Sequence, residues 1–305
     1  MSRPALLLIV VSAACGKRAE APDRGWVEKL PAAVAVARCA DEAACLTACE
    51  GGEGAACVRA AAFARVERGD LEAAAGVLGP ACERGLAAAC FELGLLDFHV
   101  LYAGRDQARG LARIEKACEA GARRACEVLA DSYAVGSPMP ADPARAEALN
   151  QRVIEIARAA CDAGSGDDCG ALANARLKVR QRADQTEVHG LLRRACTLGS
   201  AGGCAGASTP FLSGSAADRA AAQALLERAC AIDPAECSGL AFAAETGLAR
   251  EKKDPARAAE LYRRACAAWS PAACGWLAAN ATDDPAAART RACRIQSSPS
   301  CAPAN

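Results

Sequence analysis

Residues 82–118 read CERGLAAACFELGLLDFHVLYAGRDQARGLARIEKAC and contain a cysteine pattern that recurs along this 305-residue chain. Seven residues separate Cys82 from Cys90, and Cys118 begins the next such pair. Eighteen of the 19 cysteines fall into close pairs, mostly with this C-x7-C spacing, and along most of the chain the pairs recur every 33 to 43 residues. A motif with this period indicates a repeat protein, and so many paired cysteines indicate an oxidising compartment.

The spacing within each pair requires the chain to reverse direction between the two cysteines. On one unbroken helix they would lie about 12 Å apart, whereas a disulfide needs Cα atoms roughly 4.4–6.8 Å apart. A glycine three residues after the first cysteine suits the left-handed residue that ends a helix. Glycine stands there at Gly52, Gly85, Gly121, Gly164 and Gly199, and Pro234, Pro271 and Pro299 are predicted to break the helix where it is missing.

Each pair is therefore predicted to be bonded locally, as a staple across a turn between two helices. A loop of this size contributes roughly 2–3 kcal/mol per bond in the chain-entropy model, which helps an alanine-rich array whose core is thin. Cys39 and Cys45 pair by elimination. The predicted disulfides are Cys39–Cys45, Cys49–Cys57, Cys82–Cys90, Cys118–Cys126, Cys161–Cys169, Cys196–Cys204, Cys230–Cys237, Cys266–Cys274 and Cys293–Cys301.

The segments around the pairs have helical patterns. Residues 110–118 are rich in strong helix formers, and the apolar residues that follow Cys90 and Cys126 recur at intervals of three and four. No window shows the alternation of a strand. Aspartate followed by proline predicts a capped helix start at Asp142-Pro143, Asp254-Pro255 and Asp284-Pro285. The sequence thus predicts an all-α fold, an α/α solenoid of helix–turn–helix repeats.

The block from Cys82 to Cys118 resembles the Sel1-like repeat family, specifically its disulfide-rich branch, the Helicobacter-type cysteine-rich proteins. It carries the family layout as Cys82–Gly85, Cys90–Gly94, Asp106–Gly110 and Glu115–Cys118, and the resemblance covers about residues 40 to 301. It implies a Sel1/TPR-like superhelix with a concave inner face that binds other molecules. Between residues 161 and 237 Ala, Arg and Thr-Pro replace the usual aromatic and glycine positions.

The N-terminus has the features of a secretory signal. Met1-Ser2-Arg3 precedes an apolar run that is too short to span a bilayer. The sequence VSAAC ending at Cys15 resembles a bacterial lipobox, and lipidation of Cys15 would leave eighteen cysteines for pairing. The alternative is an unpaired Cys15 in an ordinary signal peptide. We predict a signal peptide over residues 1–14, a flexible tether over 15–32 and the solenoid over 33–305.

These features predict a bacterial cell-envelope protein that is lipid-anchored, on the periplasmic side or at the outer membrane, or a secreted one. A formal net charge of 0 gives no nucleic-acid signature. His99 and His189 lie in different repeats, and pairs seven residues apart without histidine do not match zinc-site spacing. No serine has a lysine three positions later, as serine β-lactamases require. We therefore predict no catalytic residue, no cofactor and no metal.

Basic residues often stand two positions before the first cysteine of a pair. They suit helix C-termini, where the macrodipole favours cations by about 0.3–1 kcal/mol; the alternative is a basic stripe that meets an acidic partner or a cell-wall polymer. Trp269 and Trp276 flank the last full turn and are predicted to pack the end of the array. The basic residues are Lys116, Arg194, Arg228, Arg264 and Arg291.

The leading functional hypothesis is a non-enzymatic scaffold that binds an unknown protein or peptide. By family analogy, the first helix of each repeat would line a concave binding face, and a lipid anchor would contact the membrane. The alternative, also by family analogy only, is a β-lactamase-like or penicillin-binding enzyme related to the cell wall. The candidate binding residues on these helices are Phe91, Leu95, Glu127, Tyr133, Phe242 and Glu245. Because a helix buries one stripe and exposes another, some of these six must belong to the core.

Overall fold

The computed structural model describes residues 23–35, 39–98, 106–137, 139–178, 184–249, 252–280 and 284–296. Within these ranges the chain forms 15 α-helices and no strand, so the predicted all-α class is confirmed. The helices are α1 Glu42–Glu50, α2 Gly54–Ala62, α3 Leu71–Glu83, α4 Ala87–Phe98, α5 Gln107–Glu119, α6 Arg123–Val135, α7 Pro143–Asp162, α8 Gly166–Lys178, α9 Gln185–Thr197, α10 Ala201–Ala207, α11 Ala216–Ile232, α12 Cys237–Thr246, α13 Pro255–Ala267, α14 Pro271–Asn280 and α15 Pro285–Gln296.

Each helix packs mainly against the helices that precede and follow it in the chain. This neighbour-to-neighbour packing is the signature of a solenoid, in which each repeat is stabilised by the repeats beside it. The apolar core runs along the stack and is rich in alanine. Fully buried alanines include Ala60, Ala89, Ala125, Ala157, Ala195, Ala229 and Ala265.

Eight disulfides are present among the described residues, and each joins two cysteines that the sequence analysis paired. Seven of them connect the end of one helix to the start of the next, with Cα–Cα distances of 4.3 to 4.8 Å. The eighth, Cys39–Cys45, ties the entry segment to α1 across 5.1 Å. The ninth predicted pair includes Cys301, which lies outside the described residues. So many disulfides are typical of an oxidising, extracytoplasmic compartment.

The predicted helix-ending glycines adopt the left-handed conformation, with φ between 86° and 98° at the five turn positions. The turn after Cys266 differs, because Trp269 occupies the glycine position and itself has φ 70°. Pro271 was expected to provide the break there; it instead begins α14. Pro234 begins a 3-10 turn before α12, and Pro299 lies outside the described residues. A left-handed non-glycine residue costs roughly 1–2 kcal/mol, so the surroundings must hold Trp269 in place.

Helix starts follow the prediction from the aspartate–proline steps. The carboxylate of Asp142 accepts a hydrogen bond from Arg145 N, that of Asp254 accepts one from Arg257 N, and that of Asp284 accepts one from Ala287 N. Capping by aspartate also occurs where no proline follows, as at Asp70 and Asp106. Side-chain caps of this kind contribute about 1 kcal/mol each.

Helix ends are capped across repeats. Arg194 Nη2 donates to the carbonyl of Cys161 at 3.1 Å, and Arg291 Nε donates to that of Cys266 at 3.2 Å. Arg84 reaches Cys49 and Arg152 reaches Cys118 in the same manner. The expected cation at a helix C-terminus is therefore present, but the terminus it serves belongs to the preceding repeat. These bonds link four of the stapled turns to residues of the repeat that follows.

The α4–α5 interface shows how closely the helices approach. A Cβ atom at Gly110 would lie 2.6 Å from Phe98 N and 2.8 Å from the carbonyl oxygen of Gly94. Nearby, Asp97 is fully buried and forms salt bridges with Arg109 and Arg113. Glycine at position 110 is therefore required by packing, since the backbones of the two helices are in contact there.

The first and last repeats of the array contact each other. Trp269 Nε1 donates to Glu67 Oε1 at 2.7 Å, and Arg291 Nη2 donates to the same oxygen at 2.6 Å. The Trp269 ring meets Phe63 edge-on, with centroids 4.9 Å apart, and Arg294 donates to the carbonyl of Val66. The residue held in the left-handed conformation is thus the one whose side chain joins the two ends. This agrees with the predicted packing role of Trp269.

The predicted flexible tether over residues 15–32 needs a correction from residue 23 onward. Trp26 is 8% exposed and belongs to the apolar core formed with α9 to α13. Arg24 Nη1 pairs with Asp218 Oδ1 at 2.7 Å, and the Arg193 guanidinium lies 5.3 Å from the centre of the Trp26 ring. Polar composition predicted a solvated linker, but one buried aromatic residue and its ion pairs dock this segment on the array. Residues 1–22, which include Cys15, lie outside the described residues.

None of the helices in the described ranges is both long enough and apolar enough to cross a membrane.

We predict that Gly110→Ala destabilises the protein by about 1–3 kcal/mol, because the added methyl group would overlap the backbone of α4. Gly190 is the matched control, a helical glycine in α9 with nothing within 4 Å of an added Cβ. Gly190→Ala should be neutral or stabilising by roughly 0.5–1 kcal/mol through helix propensity. Urea unfolding followed by circular dichroism measures both. Equal stability of the two variants would contradict close α4–α5 packing.

Candidate functional site

A cavity of about 820 Å³ opens between α6, α8, α9, α10 and the turn before α12. Its size lies within the usual range for ligand pockets, about 300–1,000 Å³. Four consecutive repeats contribute to it. The lining residues that matter below are Arg123 and Glu127 from α6, Asp167 and Ala171 from α8, Val188, His189 and Leu192 from α9, Ala201, Gly202 and Gly206 from α10, and Asp233 and Glu236 before α12.

The cavity exists because α10 is short and poor in side-chain volume. It has seven residues, AGGCAGA, and ends where Thr209–Phe211 form a 3-10 turn. A Cβ at Gly203 would lie 2.4 Å from Ala195 Cβ, so this glycine lets α10 pack directly on α9. Gly202 faces the other way, and its added Cβ would meet only Glu236 Oε1, at 3.9 Å. Gly203 thus allows α10 to pack against α9, and Gly202 leaves the cavity open.

Arg123 organises the α6 side of the cavity. Its Nε donates to Asp168 Oδ1 at 2.8 Å and its Nη1 to Glu127 Oε1 at 2.5 Å. Asp168 is in turn held by Ser165 Oγ, which donates to it at 2.6 Å. Both carboxylates are partly buried beside the guanidinium. The charge of Arg123 is therefore already balanced inside the protein.

Glu236 is the least compensated group in the cavity. Burial raises the pKa of its carboxyl above the ordinary value, and the nearby charges of Asp233 and Asp167 raise that pKa further. Asp233 is fixed as the N-cap of the turn Pro234–Glu236, where it accepts a hydrogen bond from Ala235 N at 3.0 Å. Asp233 is held in the same turn as Glu236, and Asp167 approaches from α8 of another repeat, so the fold holds like charges together around Glu236.

Of the two histidines, His189 is an exposed residue of the cavity wall, and His99 lies outside the described residues. No group of three or more His, Cys, Asp or Glu side chains arranged to hold a metal ion occurs in the part of the chain that the structure describes. The cavity wall thus combines this histidine with several acidic side chains.

The structure distributes the six candidate contact residues over four environments. Phe91 and Tyr133 are buried core, and Leu95 packs partly against the same cluster. Only Glu127 lines the cavity. Phe242 is partly buried on α12 and does not line the cavity. The remaining one, Glu245, belongs to a separate cluster.

Glu245 organises an aromatic cluster near the end of the array. Its carboxylate accepts hydrogen bonds from Tyr262 Oη at 3.1 Å and from Trp276 Nε1 at 3.0 Å. The two rings stack with centroids 4.2 Å apart. Burial raises the pKa of the Tyr262 hydroxyl, and the Glu245 charge raises it further. Trp276 thus makes its ring and hydrogen-bond contacts within the protein, which agrees with the predicted end-packing role.

Sequence reasoning missed Asp167, Gly202, Asp233 and Glu236. Two of them lie in the one regular turn that is a residue shorter than the others, between Cys230 and Cys237. This shortening is the local feature of the sequence that could have pointed to Asp233 and Glu236. Apart from Arg123 and Glu127, the cavity lining falls in residues 161–237, where the chain departs from the family pattern.

No protein-family model matches this sequence, and no curated protein sequence matches it significantly. Among solved structures, the chain is similar to a Sel1 repeat protein from Oxalobacter formigenes, with 18% identity, TM-score 0.45 and coverage of 72% of this chain and 89% of the other. It is also similar to a protective antigen of uropathogenic Escherichia coli that displays an SLR fold, with 18% identity, TM-score 0.34 and coverage of 84% and 67%.

A third similar structure is an immunity protein from Pseudomonas aeruginosa, with 17% identity, TM-score 0.48 and coverage of 70% of this chain and 83% of the other. The neighbours thus include Sel1-type repeat proteins, the family that the cysteine motif resembles. The likeness concerns the helical-repeat fold, and nothing about activity follows from it.

We predict that Glu236→Gln stabilises the folded protein at pH 7. A carboxyl whose pKa is raised by folding favours the folded state below its unfolded pKa, about 4.3, and this advantage is lost as the pH rises through the folded pKa. Glutamine does not ionise, so the variant does not lose this stability as the pH rises. The free energies of unfolding of the variant and the wild type should therefore differ at pH 7 and converge at pH 4. The control is Glu260→Gln, at an exposed position of α13.

The measurement is the urea unfolding midpoint at both pH values. A Glu236→Gln variant that is less stable than wild type at pH 7, or equally shifted at pH 4, would show that the carboxylate is stabilised in the fold. The uncompensated state of Glu236 described above would then be wrong.

Proposed function

We propose that this protein is a non-enzymatic scaffold of an oxidising extracytoplasmic compartment and that it binds a partner protein in the 820 Å³ cavity. The observation that carries the proposal is the cavity itself, which is walled by four consecutive repeats. Solenoids commonly recognise partners with surfaces to which several repeats contribute. Three of the four helices that line it, α6, α8 and α10, are the first helices of their repeats, which by family analogy line the concave face; the fourth is α9.

The cavity lining supports binding more than catalysis. Val188, Leu192 and Ala201 give it apolar walls, while Glu127 and Glu236 supply polar groups. This mixture of apolar surface and few polar groups is common in binding pockets. The alternative of a β-lactamase-like or penicillin-binding enzyme has family analogy only, and no arrangement of described residues favours it.

We further propose that Cys15 is lipidated and that residues 23–31 orient the array on the envelope. Eight peptide units separate Cys15 from Asp23, which allows a span of at most roughly 28 Å. Docking of Trp26 and Arg24 on α9 and α11 would therefore keep that side of the array close to the membrane. Stable anchoring by lipid requires more than one acyl chain, as bacterial lipobox processing by family analogy would supply.

The partner-binding proposal predicts that filling the cavity abolishes capture of the partner. In Gly202→Leu the new side chain would enter the cavity without meeting the backbone, since an added Cβ has only Glu236 Oε1 within 4 Å. Gly76→Leu is the control, because Gly76 is an exposed helical glycine of α3 with nothing near an added Cβ. Chemical crosslinking in the native envelope, followed by purification and mass spectrometry, measures partner recovery.

Wild type and Gly76→Leu should recover the same partner, and Gly202→Leu should lose it at unchanged thermal stability. Recovery of the same partner by all three proteins would place binding elsewhere. Hydrolysis of nitrocefin by the pure protein, abolished by a point substitution that preserves the helical circular dichroism signal, would contradict the non-enzymatic role.

The anchoring proposal predicts that Cys15→Ser moves the protein out of the membrane fraction or leaves it unprocessed. Wild type should fractionate with membranes, whereas a variant that lacks residues 1–15 should be found in the soluble fraction. Trp26→Ala tests the docking separately, because it should leave membrane fractionation unchanged while exposing residues 23–31 to proteolysis. Identical fractionation of wild type and Cys15→Ser would contradict lipidation.

A further inference from the structure

The cavity has a marked excess of acidic groups. Glu127, Asp167, Asp233 and Glu236 line it, whereas Arg123 is the only lysine or arginine among the described lining residues. Arg123 is already engaged by Asp168 and Glu127. An anionic ligand would therefore meet repulsion in the cavity, and a cationic ligand would meet carboxylates.

Two of these carboxylates have no cationic partner among the described residues. Neither Asp167 nor Glu236 takes part in a salt bridge there. Asp167 lies in the first turn of α8, and Glu236 lies just before α12, so the two groups reach the cavity from different repeats. Burial raises the pKa of Glu236 most, and repulsion from its acidic neighbours raises it further; a positive charge placed between Asp167 and Glu236 would relieve that repulsion.

The shape of the cavity selects the kind of cation. Gly202 leaves the space beside Glu236 Oε1 empty of side chains. Around this space, Leu192 and Ala201 provide apolar surface. Lysine and arginine combine an apolar stem with a charged head, so they can cover such walls and still reach a carboxylate. A small inorganic cation would leave the walls uncovered, and the described residues include no metal-binding group of three ligands.

We propose that the cavity binds an extended segment of a partner protein through a lysine or arginine side chain, whose charged head lies between Asp167 and Glu236 and whose stem packs against Leu192. This inference rests on the proposed scaffold function and names the chemistry of its partner. Recognition combines burial of the stem with charge-assisted hydrogen bonds to the carboxylates.

The first step of the test is unbiased selection. A phage-displayed random dodecapeptide library is selected on the oxidised wild-type protein after removal of phage that bind Gly202→Leu. The proposal expects enrichment of lysine and arginine over the unselected library, at one preferred position of the recovered peptides. No enrichment of any sequence, or enrichment of acidic or purely apolar sequences, would overturn it.

The second step measures affinity with the recovered peptide carrying fluorescein. Replacement of its central lysine or arginine by glutamine should weaken binding roughly tenfold or more, as expected for a charge-assisted hydrogen bond in a partly buried site. Glu236→Gln and Asp167→Asn should each weaken it to a similar extent, and Glu260→Gln should not. Binding of all variants within twofold of wild type would overturn the assignment of these carboxylates.

The outcomes separate this inference from the scaffold proposal. If Gly202→Leu loses the envelope partner but the peptide charge has no effect, the cavity binds protein by other chemistry and only this inference fails. If Gly202→Leu retains every binding activity, both fail. Calcium or magnesium at millimolar concentration serves as a competitor; full competition by either metal ion with no charge dependence on the peptide would assign the carboxylates to a metal ion and overturn the inference.

Discussion

The disulfide that joins the end of one helix to the start of the next is the constraint on which the rest of this structure depends. It holds Cα atoms 4.3 to 4.8 Å apart across seven successive turns. Alanine-rich helices bury little area each, so the helices alone would be marginal. A bond across a short loop removes conformational freedom from the unfolded chain, by about 2–3 kcal/mol in the entropic model. The stapled turns thereby give the array a regular register, and the cavity depends on that register because four repeats contribute to it.

The staples act within turns, and a second set of contacts acts between them. Arginines such as Arg194 and Arg291 donate to the carbonyl of the cysteine in the preceding stapled turn. At the ends, Glu67 accepts hydrogen bonds from Trp269 and Arg291, which connects the first repeat to the last. Trp269 takes a backbone conformation that glycine takes in the equivalent turns, and its contacts with Phe63 and Glu67 offset that strain. The covalent links thus act within single turns, and the polar links connect parts of the chain that are distant in sequence.

The sequence alone predicted the repeat architecture, because each element depends on residues close in the chain. The C-x7-C spacing, the glycine at Gly85 and its equivalents, and the aspartate caps all act within a few residues. The features it missed depend on distant residues. Trp26 is buried by α9 to α13, and the polar residues around it gave no sign of that. Glu236 meets Asp167 only after the repeats stack. Phe91 and Tyr133 were candidates for binding because the rotation of a helix about its axis cannot be read from one sequence.

Amide hydrogen exchange in α9 and α10 tests most directly whether the staples hold the cavity together. The comparison is between the oxidised wild type and the Cys196→Ala/Cys204→Ala variant, which lacks the bond between these two helices. If the bond stabilises the local fold by about 2 kcal/mol, exchange in α9 and α10 should accelerate roughly 30-fold, and helices α1 to α4 should change little. Unchanged exchange rates in α9 and α10 would contradict the account, because packing alone would then be sufficient to hold the repeats in register.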